Sequence, residues 1–298
     1  MIEVKVPATS ANLGSGFDSL GISLSMYNNI GIEEYDSVDI ISKDGKKIPK
    51  DKSNLILWSA NRLYEICGKK LPGLKIEQEN NIPMARGLGS SSACIVAGLL
   101  AANTFLKKPL SKEELINLGT EIEGHPDNIA PAFLGGLVTS AVDGNKVYSV
   151  SLPIDKKIRF AVFIPPFELK TTVSRSVLPR VYSKEDSVYN LSRATLMVAS
   201  LYSGKFENLR VSVQDKMHQT YRMKFIDGAE TVFKVSYELG SYGTYITGAG
   251  PSIIAIIDET NIDNLRKNAI KSLEEKGIKG WNLEILRLDS IGASIKLA

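Results

Sequence analysis

The residues best placed to do chemistry lie between Ile82 and Cys94, in Ile-Pro-Met-Ala-Arg-Gly-Leu-Gly-Ser-Ser-Ser-Ala-Cys. Arg86 precedes Gly87 and Gly89, and Ser90, Ser91 and Ser92 open a run of helix-like composition, Ala93 to Leu106. Two glycines let the backbone turn tightly and let a ligand reach its N–H groups without meeting a Cβ. A helix that begins at the serines has unpaired N–H groups and the positive end of its dipole there, an arrangement that binds phosphate. The hydroxyls can donate to phosphate oxygens or ligate magnesium, which takes oxygen ligands. Small residues also mark flexible loops and helix caps, so the stretch alone leaves both readings open. No lysine follows the second glycine, which excludes a Walker loop. Ser92 stands where a dinucleotide fingerprint needs its third glycine. A nucleotide-phosphate loop of another type remains.

Four further groups of residues could serve a site. The loop Ala8 to Gly21 is rich in small residues and holds Asn12 and Asp18, which either make Asx turns or present an amide and a carboxylate to a small polar ligand. Gly124-His-Pro-Asp-Asn128 is a dense polar cluster between apolar stretches, either a site or a helix stop. Thr171 and Arg175 fall in a polar connection, and His218 and Arg222 in the polar stretch Gln214 to Lys224; a lone arginine is ordinarily solvated. Thr244 to Ile257 gives a strand, a Gly-x-Gly-Pro turn and an apolar strand.

A chain of 298 residues, 43% hydrophobic and 23% charged, can bury one large core or two medium ones. A net charge of +3 is too small to argue for nucleic acid or an anionic membrane. No apolar run approaches the roughly 18 residues of a membrane span. Strand-like alternation begins at Met1-Ile-Glu-Val-Lys, so no signal peptide is expected and the compartment is read as cytoplasmic. Cys67 and Cys94 read as buried free thiols, and two histidines make a histidine-based zinc site improbable.

The elements that must position these groups follow from periodicity. Residues 2–7 alternate as a strand ending at Pro7, Ile22–Tyr27 and Ile30–Glu34 read as two short strands, and Val38–Ser42 as another. Ser53 caps a helix to Cys67, and Leu74–Glu79 is a strand feeding the glycine–serine loop. Ser111-Lys-Glu-Glu114 is a capping box opening a helix to about Glu123. Gly136–Val142 and Val147–Leu152 form a hairpin, and Pro153 with Asp155–Lys157 marks a boundary. The second half reads strand–helix–helix–strand–strand–helix–strand, an α+β arrangement, with a last strand at Ser294–Leu297.

Taken in order, Pro7 to Gly21, Pro83 to Cys94 and Ile246 to Ser252 resemble the three glycine-containing motifs of the GHMP small-molecule kinases. The first motif and Glu-Gly-His-Pro-Asp-Asn-Ile-Ala-Pro-Ala-Phe-Leu-Gly-Gly at Glu123 to Gly136 are similar to the homoserine kinase family. The resemblance implies an N-terminal ribosomal-S5-like β/α domain over residues 1–153 and a C-terminal ferredoxin-like domain over 154–298, with ATP and substrate in the cleft between them. It implies ATP-dependent phosphorylation of the side-chain hydroxyl of L-homoserine for threonine synthesis. Neither nucleic acid nor membrane is an expected partner, and a homodimer is a family-level expectation.

The resemblance also carries over residue by residue. Pro83, Met84, Ala85, Arg86, Gly87, Leu88, Gly89, Ser90, Ser91 and Ser92 would hold the nucleotide, with Asn54 at its adenine. Ser91 and Glu123, rather than Glu121, would ligate Mg2+. Asn12 and Asp18 would take the substrate ammonium, Arg175 and Arg222 its carboxylate, and His125 would line the hydroxyl end. Asn128 and Asp127 would position the hydroxyl, with Arg175 and Thr171 completing the catalytic set and base catalysis left open. Two rivals stand: another kinase of the superfamily, acting on mevalonate, threonine or a sugar, or a nucleotide-binding regulator that has lost catalysis. Asp18 with two arginines favours a zwitterion over mevalonate, which has no amine.

Overall fold

A computed structural model of the chain describes residues 1–297. Ile2, Val4 and Val6 are buried while Glu3 and Lys5 are exposed, the two-residue period of a strand with one covered face. The strand does not stop at Pro7. It continues as β1 (Ile2–Ala11), with a register shift between Pro7 and Ala8 against its neighbour. A proline has no N–H for the ladder, and an irregularity is where a sheet tolerates one. β2 (Leu20–Glu34) is one long strand rather than two. β3 (Asp39–Ser42) follows, then α1 (Leu55–Ile66), β4 (Leu74–Asn80), α2 (Ser90–Phe105), α3 (Lys112–Glu123), α4 (Pro126–Leu134), and the hairpin β5 (Leu137–Asp143) and β6 (Lys146–Leu152).

The second half supplies β7 (Ile158–Ile164), α5 (Thr171–Ser176), α6 (Lys184–Ser203), α7 (Leu209–Ser212), α8 (Gln219–Arg222), α9 (Ala229–Glu238), β8 (Gly243–Ile246), β9 (Ile253–Asp258), α10 (Ile262–Glu275), β10 (Asn282–Leu286) and β11 (Ser294–Leu297). Two sheets result. The larger has the order β11-β1-β2-β4-β3, with β5 on β2 and β6 on β5. The smaller has the order β10-β7-β9-β8, antiparallel throughout. With α9 and α10 it bears out the ferredoxin-like expectation, and Val232, Val235, Leu265 and Leu273 join Ala161, Phe163 and Ile257 in its core. The α+β class is as expected. The last strand is not where a division at 153/154 puts it, because β11 pairs antiparallel with β1 in the first sheet.

One apolar cluster spans both halves, joining Ile22, Leu24, Leu99 and Phe133 to Phe160, Met197, Leu201 and Val213. The halves therefore share a core, which holds the cleft walls at a fixed separation. Among the described residues no helix is long and apolar enough to cross a membrane. Cys67 and Cys94 are free thiols, half-buried rather than fully buried.

Two local features differ from expectation and bear on the site. Asn54, not Ser53, caps α1: its Oδ1 accepts from the N–H groups of Ile56 and Leu57. The polar cluster after Gly124 is not a turn but the start of α4, with Pro126 in its first turn, where its missing N–H costs nothing. Pro131, inside the same helix, cannot donate to the Asp127 carbonyl. Gly21 of β2 backs onto that carbonyl so closely that a Cβ there would lie 1.8 Å from it.

Candidate active site

Three glycine-bearing segments meet at Gly248. Its carbonyl accepts from Asn12 Nδ2 at 2.9 Å and Arg222 Nη1 at 2.8 Å, and its N–H donates to Ala11 at 3.1 Å. Beside it, Thr247 Oγ1 donates to the Gly87 carbonyl at 2.6 Å. Gly87 has φ +72°, and a Cβ on it would fall 2.3 Å from the Thr247 carbonyl oxygen. Glycine is required there twice over, for the left-handed backbone and for the close approach.

The glycine–serine loop ends in α2, whose cap Gly89 is also left-handed, at φ 71°. No side chain caps this helix, so the first N–H groups of a sixteen-residue helix face the cleft without an internal acceptor. Behind Gly89 stands Thr9: its N–H bonds the Leu88 carbonyl at 3.1 Å, and its Oγ1 donates to Asn128 Oδ1 at 2.7 Å. Ser91 Oγ lies 3.2 Å from Glu123 Oε2, and Ser92 Oγ lies 2.9 Å from Glu123 Oε1. Glu121 instead faces Arg62 at 3.0 Å, away from the loop. The choice between the two glutamates follows from helix phase: residues two apart on α3 point to different sides.

Asp18 and Arg175 form a two-contact ion pair, Nη2–Oδ1 2.7 Å and Nη1–Oδ2 3.3 Å. The Asp18 loop is wound through left-handed backbone at Asn12 (φ 71°), Leu13 (φ 46°) and Asp18 (φ 54°). Asn12 holds it there, accepting the Asp18 N–H at 3.0 Å. Strain of this kind persists only where surrounding contacts over-determine it, and it clusters at ligand sites. Arg222 is 1% exposed and bonds only to neutral partners, the carbonyls of Gly248 and Ser174 and the ring of His218. Burial first, then the charge of Arg175, pulls its pKa down to about 10. Arg222 is thus a buried cation with no carboxylate of its own, whereas buried charges are ordinarily paired.

At the start of α4, His125 Nδ1 and Asp127 Oδ1 are 2.6 Å apart, with the carboxylate 1% exposed. Burial works against the imidazolium, but the Asp127 hydrogen bond and charge prevail, and the His125 pKa ends above its usual value. Asp18, His125 and Asp127 bring ligand atoms within 4.8 Å of one another. Asp18 is engaged by Arg175, and His125 and Asp127 by each other.

The cleft, about 380 Å3, is lined by Asn12, Ala85 to Ser91, Glu123, His125, Asp127, Asn128, Thr171, Arg175 and Arg222. A larger hollow of about 660 Å3 near Lys156, Lys157 and Arg287 touches none of the motif residues except Gly136. Asp18, Pro83, Met84 and Ser92 are not among the residues that line the cleft, and three further expected residues are not delivered as expected. Asn54 is committed to capping α1, with its Nδ2 donating to the Pro49 carbonyl. Arg86 lines the cleft, but its guanidinium binds the carbonyls of Pro165 and Met84, close to Glu168. Asn12 uses both amide atoms on the loop and Gly248, so it shapes the pocket rather than offering a free group. Lys170 and Thr172 line the cleft without having been singled out, and Thr9 supports it from behind. Their only sequence signal is adjacency to Thr171 and membership of the first motif.

The geometry defines a class. The family model for the GHMP kinases N terminal domain matches residues 54–136 and that for GHMP kinases C terminal matches residues 197–278. The chain belongs to the GHMP kinases, whose two-domain fold this is and whose activity uses ATP. Within them its relatives include full-length homoserine kinases. That of Clostridium beijerinckii is 47% identical over 303 aligned positions, covering 99% of this chain and 98% of the relative. That of Caldicellulosiruptor bescii is 42% identical, covering 99% and 97%. The crystal structure of homoserine kinase from Cytophaga hutchinsonii superposes with a TM-score of 0.87 at 28% identity, covering 99% of this chain and 97% of that one.

Proposed function

We propose that this cleft is where the chain phosphorylates the side-chain hydroxyl of L-homoserine with ATP, giving O-phospho-L-homoserine. The observation that carries the reading is that a single cleft is lined both by the glycine–serine loop and by Arg175 and Arg222. The loop and the N-terminus of α2 suit the phosphates. Asp18 suits the substrate ammonium, and the two guanidinium groups its carboxylate. Ser91 and Glu123 supply the oxygen donors that Mg2+ takes, and the ion, when bound, neutralises phosphate charge.

The transfer breaks the bond between the γ-phosphorus and its bridging oxygen, forms one to the substrate oxygen and releases the hydroxyl proton. Its loose transition state asks mainly for positioning and charge neutralisation. Asn128, whose Oδ1 is taken by Thr9, has its Nδ2 left to orient the hydroxyl. Asp127 and His125 hold each other at the same end, and Thr171 stands on the facing wall. The domains are taken as residues 1–153 and 154–298, with β11 returning to the first sheet. The proposed compartment is the cytoplasm, where ATP is supplied.

A coupled ADP-release assay with L-homoserine, L-threonine and mevalonate tests the reading. Turnover is expected with L-homoserine well above the other two. Faster turnover with mevalonate, or none with any of the three, overturns it.

A further inference from the structure

Two cations that bind one carboxylate must be held side by side although they repel each other. Arg175 lowers the pKa of Arg222 in this structure, and no acidic side chain contacts Arg222. Neutral partners, the Gly248 and Ser174 carbonyls and His218, therefore hold the second guanidinium, and an aromatic ring adds to them. Both guanidinium groups lie over the ring of Phe17. The Cζ of Arg175 is 5.8 Å from the Phe17 ring centroid, and that of Arg222 is 5.5 Å from it. An aromatic face attracts a cation through its quadrupole, so one ring can steady both.

The ring itself is braced. Phe17 stacks on His218, with centroids 5.3 Å apart and an interplanar angle of 22°. His218 is wholly buried, with Nε2 2.6 Å from the Gly14 carbonyl and Nδ1 3.1 Å from Arg222 Nη1. A carbonyl only accepts, so Nε2 carries the hydrogen. Nδ1 then presents its lone pair to the guanidinium N–H. The imidazole must be neutral to do this, since a second N–H would point at another donor. Asp215 fixes the backbone of this segment, accepting from the N–H groups of Met217, His218 and Gln219 at 3.0, 2.8 and 2.6 Å. The result ties the Asp18 loop, through Gly14 and Phe17, to the arginine of α8.

We propose that Phe17 and His218 are positioning residues that hold Arg175 and Arg222 as one carboxylate receptor and so make the enzyme demand a carboxylate on its substrate. This rests on the reading of the cleft given above. Neither residue touches the reacting atoms, so both act on substrate binding and not on phosphoryl transfer.

The test uses the full chain and its Phe17→Leu, Phe17→Tyr and His218→Gln variants. KM for L-homoserine, KM for ATP and kcat are measured, with 3-aminopropan-1-ol, which is L-homoserine without its carboxylate, as a competing ligand. In Phe17→Leu and His218→Gln the KM for L-homoserine is expected to rise at least about tenfold, with kcat held within about threefold. The inhibition constant of 3-aminopropan-1-ol and the KM for ATP stay at their unsubstituted values, and Phe17→Tyr, which keeps the ring, restores the KM for L-homoserine. Phe17 is only half-buried, so its leucine variant remains a fair test if the histidine variant does not fold. Unchanged KM for L-homoserine, a fall in kcat alone, or an equal loss for L-homoserine and 3-aminopropan-1-ol overturns the proposal. An unsubstituted enzyme that does not turn over L-homoserine overturns the reading of the cleft, and the platform with it.

Discussion

Asp18 grips Arg175, a residue of the cleft wall, with Nη2 2.7 Å from Oδ1 and Nη1 3.3 Å from Oδ2. Each is the partner assigned to the opposite end of a zwitterion. On the reading proposed above, the pair joins to each other the two charges that the substrate would pair with its own. An incoming amino acid exchanges one ion pair for two. Both side chains are about one-third exposed, so solvent weakens the internal pair.

Asp18→Asn removes the partner of the ammonium but leaves Arg175 free. The KM for L-homoserine is expected to rise roughly ten- to a hundredfold, the range for losing a hydrogen bond to a charged group. The KM for ATP is expected to stay put. Steady-state kinetics decide it, and an unchanged KM for L-homoserine would show that Asp18 serves only to hold Arg175.

Glu123→Gln and Ser91→Ala should each shift the magnesium dependence of ADP release to higher concentration, with Glu123→Gln also lowering kcat about a hundredfold or more. Glu121→Gln should leave both unchanged, because that carboxylate faces Arg62. A magnesium titration of the three variants checks the assignment, and equal effects at 121 and 123 would refute it.

Asp127 is bound to His125 and 1% exposed, a geometry that suits holding better than accepting a proton from outside. Asp127→Asn is therefore expected to keep kcat within about tenfold, less than the roughly 100- to 10,000-fold that general-base catalysis contributes. A larger drop in single-turnover rate, with substrate affinity intact, would make Asp127 the base.

The two histidines should act on stability with opposite sign. Burial, followed by the opposing effects of Asp215 and Arg222, leaves the His218 pKa below 6.5. Its contribution is complete above pH 6.5 and is lost as pH falls through the folded value, since the unfolded chain then binds the proton first. His125, raised above 6.5 by Asp127 despite burial, contributes fully below pH 6.5 and loses its share as pH rises through its folded value. Urea midpoints between pH 5 and 8 are expected to show His218→Gln flattening the acid limb and His125→Gln the limb above 6.5. Identical profiles for the two variants would contradict both assignments.

Much of this was legible before any coordinates. Motifs whose residues bind locally kept their meaning: the serines open α2, Ser111 and Glu114 form their capping box, and Glu123 rather than Glu121 turns to Ser91. Readings failed where long-range pairing overrode a local signal. Pro7 looked like a stop but is absorbed at a register shift, and Asn28 and Asn29 looked like a break but pair with Asn80 and Glu79 across the sheet. The resemblance places Asn54 at the adenine, and periodicity puts the cap one residue earlier, at Ser53; in the fold Asn54 itself is the cap. Phe17 and Thr9 act only through residues more than a hundred positions away, Arg175, Arg222 and Asn128, which nothing in their own neighbourhood reveals.

The partnership of Ile2 with Leu297 sets an order on synthesis. As the chain leaves the ribosome, β1 can pair with β2 early, but its other edge waits until the last of the described strands has emerged. An unfinished chain therefore carries an open strand edge, the kind that pairs with a neighbour's. Only the emergence of Ser294–Leu297 can seal it.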